Sequence, residues 1–229
     1  MKISIPLMLA LTTWFGANAQ QTISFTTFLS GTNAVPPNSL PYVGEGRFFL
    51  TGSELRYGVE SQSFGTRTAE IRGPAAPGIN APVLFSLRLS NCVAPLPPPY
   101  PFGECRFGGR TNLSDLEIEY LLAGLLYISA QSEAGELRGQ ILPVDSDSDG
   151  VPDFRDVCPD TAPGDSVTAE GCSVEQLCPC AGPWRNHGEY VTCVKAVALN
   201  LLLEERISAE EYVEIISASA KSDCGKARR

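Results

Sequence analysis

A chain of 229 residues with a net charge of −9, eight cysteines and one histidine excludes several classes of function. The single imidazole, His187, cannot assemble a multi-histidine copper, zinc or iron site. The excess of 26 acidic over 17 basic side chains, with no basic stripe, argues against nucleic acid as a partner.

In chain order, the first element is a leader. Met1-Lys2 is followed by an apolar stretch from Ile3 to Phe15 and by Ala17-Asn18-Ala19, a small-x-small cleavage signature, so residues 1–19 read as a signal peptide. The stretch is too short to span about 30 Å of hydrocarbon and Pro6 interrupts it. No other run reaches spanning length, so no transmembrane segment is expected after its removal, and the product is secreted, extracellular or periplasmic. All eight cysteines, Cys92, Cys105, Cys158, Cys172, Cys178, Cys180, Cys193 and Cys224, follow this leader. An even number in an oxidising compartment reads as four disulfides rather than as thiol chemistry or zinc ligation.

Residues 20–143 form a mainly β domain. Short runs rich in β-branched and aromatic residues (Thr22–Leu29, Gly46–Leu50, Leu55–Glu60, Thr68–Arg72, Val83–Leu89, Leu126–Ser129 and Glu136–Leu142) are separated by Gly, Pro and Asn, the pattern of a β-sandwich or barrel. Ser114-x-x-Glu117 is a capping box and predicts one short helix across a sheet edge. Asn91–Phe107, with Pro95, Pro97, Pro98, Pro99 and Pro101, reads as a loop bracketed by Cys92 and Cys105.

Residues 144–177 are acidic and loop-like. Asp145, Asp147, Asp149, Asp153 and Asp156 occupy positions 1, 3, 5, 9 and 12 of a twelve-residue loop, with Gly150 at the sharp turn and the Val151 carbonyl at position 7. That is a donor set for Ca2+, a hard cation that takes six to eight oxygens. Five carboxylates repel one another without a cation, so binding is expected to order the loop. The aspartate at the last position has a shorter reach than glutamate, and the expected affinity is that of an extracellular module, about 0.1 to 1 mM.

Residues 178–229 are cysteine-rich and helical. Asn186-x-x-Glu189 and Ser208-x-x-Glu211 open two helices; Tyr190, Val194, Val197, Ala198, Leu201 and Leu202 stripe the first, and Tyr212, Val213, Ile215 and Ile216 the second. A hairpin of under about 50 residues needs staples. Cys193 and Cys224 fall at the same end of it, and either reaches Cys178 or Cys180.

Two resemblances add to this reading. Asp145–Asp156, followed by Cys158-Pro159-Asp160-Thr161 and Gly171-Cys172, resembles a thrombospondin type 3 repeat, which implies a Cys158–Cys172 pair. Leu29-Ser-Gly-Thr-Asn-Ala-Val-Pro-Pro37, Gly46-Arg-Phe-Phe-Leu50, Leu55-Arg-Tyr57, Ala69-Glu-Ile-Arg-Gly-Pro-Ala75, Leu122–Tyr127 and Gly135-Glu-Leu-Arg-Gly-Gln140 resemble the CHRD (chordin) domain. That resemblance implies an extracellular β-sandwich, immunoglobulin-like or superoxide-dismutase-like. Many members of that family carry two histidines where this chain has Glu70 and Arg72, which here form a same-face ion pair instead. The segment from Cys178 through Trp184 to Cys193 also resembles a C-terminal module of bacterial exported proteins.

The functional expectation is a secreted, non-enzymatic calcium-binding interaction protein, with an extracellular protein or a matrix or envelope component as partner, as in cell adhesion. The alternative is an extracellular enzyme working through carboxylates. Its candidates are weak: Asp115 and Glu117 sit where a helix N-terminus favours acids, and His187 lies in a first helical turn, where capping or packing explains it.

Overall fold

A computed structural model describes residues 21–63, 65–93 and 103–226. The expected leader and the five prolines between Cys92 and Cys105 lie outside them. The β part is one ten-stranded antiparallel sheet in the order β5-β4-β8-β9-β1-β2-β3-β7-β6, with β10 pairing β1. The strands are β1 Thr22–Ser30, β2 Val43–Thr51, β3 Glu54–Ser61, β4 Thr68–Arg72, β5 Val83–Ser86, β6 Leu89–Val93, β7 Glu104–Asn112, β8 Tyr127–Ser132, β9 Gly135–Gln140 and β10 Leu142–Pro143. Alternation sets the faces. In β1, Phe25, Thr27 and Leu29 are buried while Thr26 and Phe28 face out. Gly52, with φ +59, makes the tight β2–β3 turn between the paired Thr51 and Glu54.

The sheet curls because two chain segments change partner midway. β5 pairs β4, β6 pairs β7, and between them the Leu87 N–H donates to Ala69 O and Arg88 O accepts from the Gly108 N–H. Likewise β9 pairs β8, β10 pairs β1, and the Ile141 N–H between them donates to Leu126 O. The result is a β-sandwich-like domain whose layers share one core: Phe25, Leu29, Phe48 and Leu55 from one side meet Ile71, Ile128, Leu137 and Ile141 from the other. Burying each such side chain contributes about 1.5–3 kcal/mol.

Three sequence expectations need correction, one of them the run Glu136–Leu142, which is divided between β9 and β10. Asn91–Phe107 is not loop throughout: Asn91–Val93 belongs to β6 and Glu104–Phe107 to β7, with Cys92 directly opposite Cys105. Their disulfide is therefore a cross-strand bridge. The prolines and Gly108-Gly109 mask the strand signal, and β6, exposed along its whole length, lacks the apolar alternation that marks a strand. The run Val83–Leu89 is also two strands, split where the chain passes between layers.

Helix α1, Asp115–Leu122, follows the expected Ser114–Glu117 capping box and buries Leu121 in the core. Helix α2, Val174–Leu177, is too short to show a period in the sequence; Ser173 and Gln176 form its capping box. Helices α3, His187–Leu203, and α4, Ala209–Lys221, are the expected hairpin. Tyr190, Val194, Ala198 and Leu201 are buried as the stripe predicts, whereas Val213 is 63% exposed. Disulfides Cys178–Cys193 and Cys180–Cys224 resolve the open pairing. At α3 the capping box is half formed: Asn186 caps Glu189 N, but the Glu189 carboxylate accepts from Arg185 N and its guanidinium.

At α4 the box is complete, and the Ser208 N–H, with its hydroxyl second, holds the Glu211 carboxyl below its ordinary range. A depressed carboxylate stabilises the fold above its unfolded pKa, and the contribution is lost as pH falls through the folded value. Far-UV circular dichroism of the full chain is expected to show helix content declining on acidification through that range. Glu211→Gln, which still accepts the bond but does not titrate, should flatten the decline; an unchanged profile would exclude the box as its source.

Candidate metal centre

The acidic loop follows β10 and folds by feeding its own N–H groups to its aspartates. Asp145 accepts from Ser148 N and Gly150 N, Asp147 from Asp149 N, and Asp149 Oδ1 from Val151 N. Ser148, φ +64, and Gly150, φ +92, turn the chain so that these short side chains converge. Carboxylate oxygens of Asp145, Asp147 and Asp149 come within 4.8 Å of one another. Among the expected ligands, these three are brought together. Asp153 is turned aside, accepting from both Ser146 N and Ser146 Oγ. Asp156 accepts from Cys158 N and packs against Gly171, φ +80, where an added Cβ would collide with the Asp156 carboxylate and come within 3.2 Å of Asp149 Oδ2. Val151 is buried below the loop.

The electrostatics are uneven. Asp149 Oδ2 is buried and has no hydrogen-bond partner. Burial first, then the negative charges of Asp147, Asp156 and Asp145, push the Asp149 carboxyl above its ordinary value. Asp147 is shifted the other way, chiefly by the Thr161 N–H. An orphaned carboxylate oxygen among other carboxylates, with no nitrogen or sulfur donor in the cluster, fits a hard divalent cation.

The loop is tied on both sides. Toward the sheet, Val144 N donates to Ser24 O of β1, and Asp153 N to Val144 O. Toward the helices, Asp147 Oδ2 accepts from Thr161 N, and the Thr161 hydroxyl lies 3.0 Å from both Gly171 O and Gln176 Oε1. Gln176 caps α2 and donates to Cys158 O, inside the ring closed by Cys158–Cys172. Helix α2 ends at Cys178, which is bonded to α3. The sequence shows the aspartate spacing but not Thr161 or Gln176, whose role depends on the disulfide ring bringing them under the loop.

Two of the enzyme candidates, Glu117 and His187, have structural partners, and Asp115 lies in the first turn of α1. Glu117 completes the α1 capping box. His187 presents Nδ1 at 2.7 Å to Cys224 O and Nε2 at 3.2 Å to Ala220 O, fastening the start of α3 to the end of α4. Glu70 and Arg72 form the expected ion pair at 2.7 Å. Among the described residues, no helix is long and apolar enough to cross a membrane.

The model of the CHRD domain matches residues 25–141, ending before the acidic loop. No curated protein and no solved structure matches the chain. The curled antiparallel sheet from β1 to Ile141 is thus the matched region, it spans more than half of the sequence, and the chain belongs to the CHRD domain family.

Proposed function

We propose that this chain is an exported, non-enzymatic interaction protein in which calcium stiffens the joint between the β domain and the helical module. The parts are a signal peptide over residues 1–19, the CHRD domain over 20–143, a thrombospondin type 3-like unit over 144–177 and a stapled helical module over 178–229. Four disulfides support an oxidising, extracellular or periplasmic setting. The partner is an extracellular protein or a matrix or envelope component, and adhesion is the role this fits.

The observation that carries the calcium reading is the buried, unpartnered Asp149 Oδ2 beside Asp145 and Asp147. Calcium would neutralise the mutual repulsion of these groups, with the Val151 carbonyl and Asp156 as further donors of the expected set and Asp153 joining them on release from Ser146. Because the loop is hydrogen-bonded to β1 on one side and through Thr161 and Gln176 to α2 on the other, ordering it fixes both neighbours.

The test is thermal unfolding of the full chain with and without millimolar calcium. At ten times Kd, one site stabilises by about 1.4 kcal/mol. Asp149→Ala should abolish the shift, and Trp184, which donates to Pro179 O and stacks edge-on at 5.9 Å from Tyr190, should report the change in the helical module. Equal midpoints with calcium and chelator would sink the reading.

A further inference from the structure

The one imidazole of the chain sits where the end of the helical module folds back on its start. His187 is the first residue of α3, and its ring reaches the end of α4, with Nδ1 2.7 Å from Cys224 O and Nε2 3.2 Å from Ala220 O. Carbonyl oxygens only accept, so each ring nitrogen has to donate. A neutral imidazole has a single N–H and would turn the lone pair of its other nitrogen on a carbonyl oxygen. The imidazolium has two N–H groups and satisfies both contacts. At least one of the carbonyls depends on it. Ala220 O belongs to the last turn of α4, which runs out of helical N–H groups, and the Cys224 N–H that would continue the ladder donates to Ser222 Oγ instead.

The seat around the ring is tight. Gly225, φ +71, lies so close to α3 that an added Cβ would stand 3.0 Å from Tyr190 Cβ, 3.1 Å from Asn186 O and 3.2 Å from His187 Cα. The Cys180–Cys224 bridge ties the same point, and Tyr190 stacks on the imidazole at 6.2 Å. The neighbouring charges cancel in pairs. Past the end of α4, Asp223 binds Lys226 at 2.7 Å; on the α3 side, Arg185 binds Glu189 at 3.0 Å. Lys221 closes α4, and its charge opposes a second cation nearby. The N–H groups of the first turn of α3, which also oppose a cation, are capped by Asn186 and shielded by Glu189. The two carbonyls in direct contact therefore set which form of the ring the seat accepts.

We propose that His187 is a proton-operated clasp: as the imidazolium it bonds both carbonyls and seats the end of α4 on the start of α3, and on releasing a proton to solvent it loses one of those bonds and loosens that end. The stability it contributes is present while the ring is charged and is lost as pH rises and the ring deprotonates. This is opposite in sign to the Glu211 capping box, whose contribution is lost on acidification through the carboxylate range. The helical module is then held most firmly between the two. Calcium has no part in this device.

The test is thermal unfolding of the full chain in chelator, at about pH 5.5 and about pH 8.5, on either side of the ordinary imidazole range. Trp184 fluorescence is the readout, because its ring packs on Tyr190, which in turn stacks on the imidazole. The midpoint should fall by about 5 °C at the higher pH, as for one hydrogen bond lost from a small module. His187→Gln, which donates a bond but does not titrate, should remove the difference, and Asp223→Asn should keep it. Should His187→Gln misfold, the parent decides the matter: with one histidine in the chain, the imidazole signals in nitrogen-edited NMR belong to His187, and their titration should coincide with the fall in midpoint. Equal parent midpoints at the two pH values, a difference retained in folded His187→Gln or lost in Asp223→Asn, or an imidazole titration that does not track the fall would overturn the proposal. None of these outcomes touches the calcium-dependent melting shift, so the two readings fail separately.

Discussion

Replacing Cys180 and Cys224 together by serine is expected to destabilise the α3–α4 hairpin by about 4 kcal/mol, the largest effect available from one pair. The bridge spans a sequence separation of 44, against 15 for Cys178–Cys193, and the freedom a cross-link removes from the unfolded chain grows with the loop it closes. Little else compensates. The hairpin core consists of Cys178, Tyr190 and Val194 at one end and Ala198, Leu201 and Ile207 at the other, with the α4 side chains Tyr212, Ile215 and Ile216 only half-buried. The bridge also fixes the end of α4, where Cys224 O receives the His187 ring. Heating the variant while following helix content by circular dichroism and Trp184 fluorescence should show the hairpin melting well before the sheet. A single transition at the parent temperature would refute the assignment of hairpin stability to this staple.

Arg138→Ala is expected to cost about 3 kcal/mol, as for truncation of a large buried side chain that also leaves polar groups unpaired. Arg138 is 1% exposed, yet it has no carboxylate partner among the described residues. Its guanidinium lies 3.6 Å over the Tyr127 ring and donates to Ile79 O at 2.6 Å and Asn80 Oδ1 at 3.1 Å. A cation over an aromatic face contributes up to about 2 kcal/mol when desolvated. The same loop is held by Tyr127, whose hydroxyl accepts from Ala81 N, and by Gln140, which donates to Ala75 O. Arg138→Met restores volume without charge, so it separates packing from pinning. It should recover part of the stability but leave residues 76–81 open to proteolysis. Parent-like protection of that loop in Arg138→Met would show that the guanidinium acts only as bulk.

These residues also indicate what the sequence can disclose. Alternation in Thr22–Leu29 and Thr68–Arg72 is a local property, set by which face meets the core, and the strands follow it closely. The caps Ser114, Asn186 and Ser208 are equally local, and each opens a helix. Arg138 is different. By alternation with Leu137 it belongs to the outer face, and it is buried only because residues 74–82 fold over it, a long-range event with no local trace. The candidate metal centre divides in the same way. The aspartate spacing is written in the chain, whereas the orphaned Asp149 oxygen and the diversion of Asp153 to Ser146 depend on how the loop closes. Pairing of Cys178 with Cys193 rather than Cys224 likewise depends on the position of α2.

The partner-switching run from Val83 to Val93 bears on how the protein behaves at high concentration. An open sheet of this size has two free edges, each a template for pairing with another chain. Here both edges, β5 of four residues and β6 of five, are cut from that single run, so neither is long enough to recruit a foreign strand in a lasting register. The Cys92–Cys105 bridge holds the second of them to β7. The turn from one layer to the other at Leu87 and Arg88 therefore shields the domain from self-association as well as closing its core.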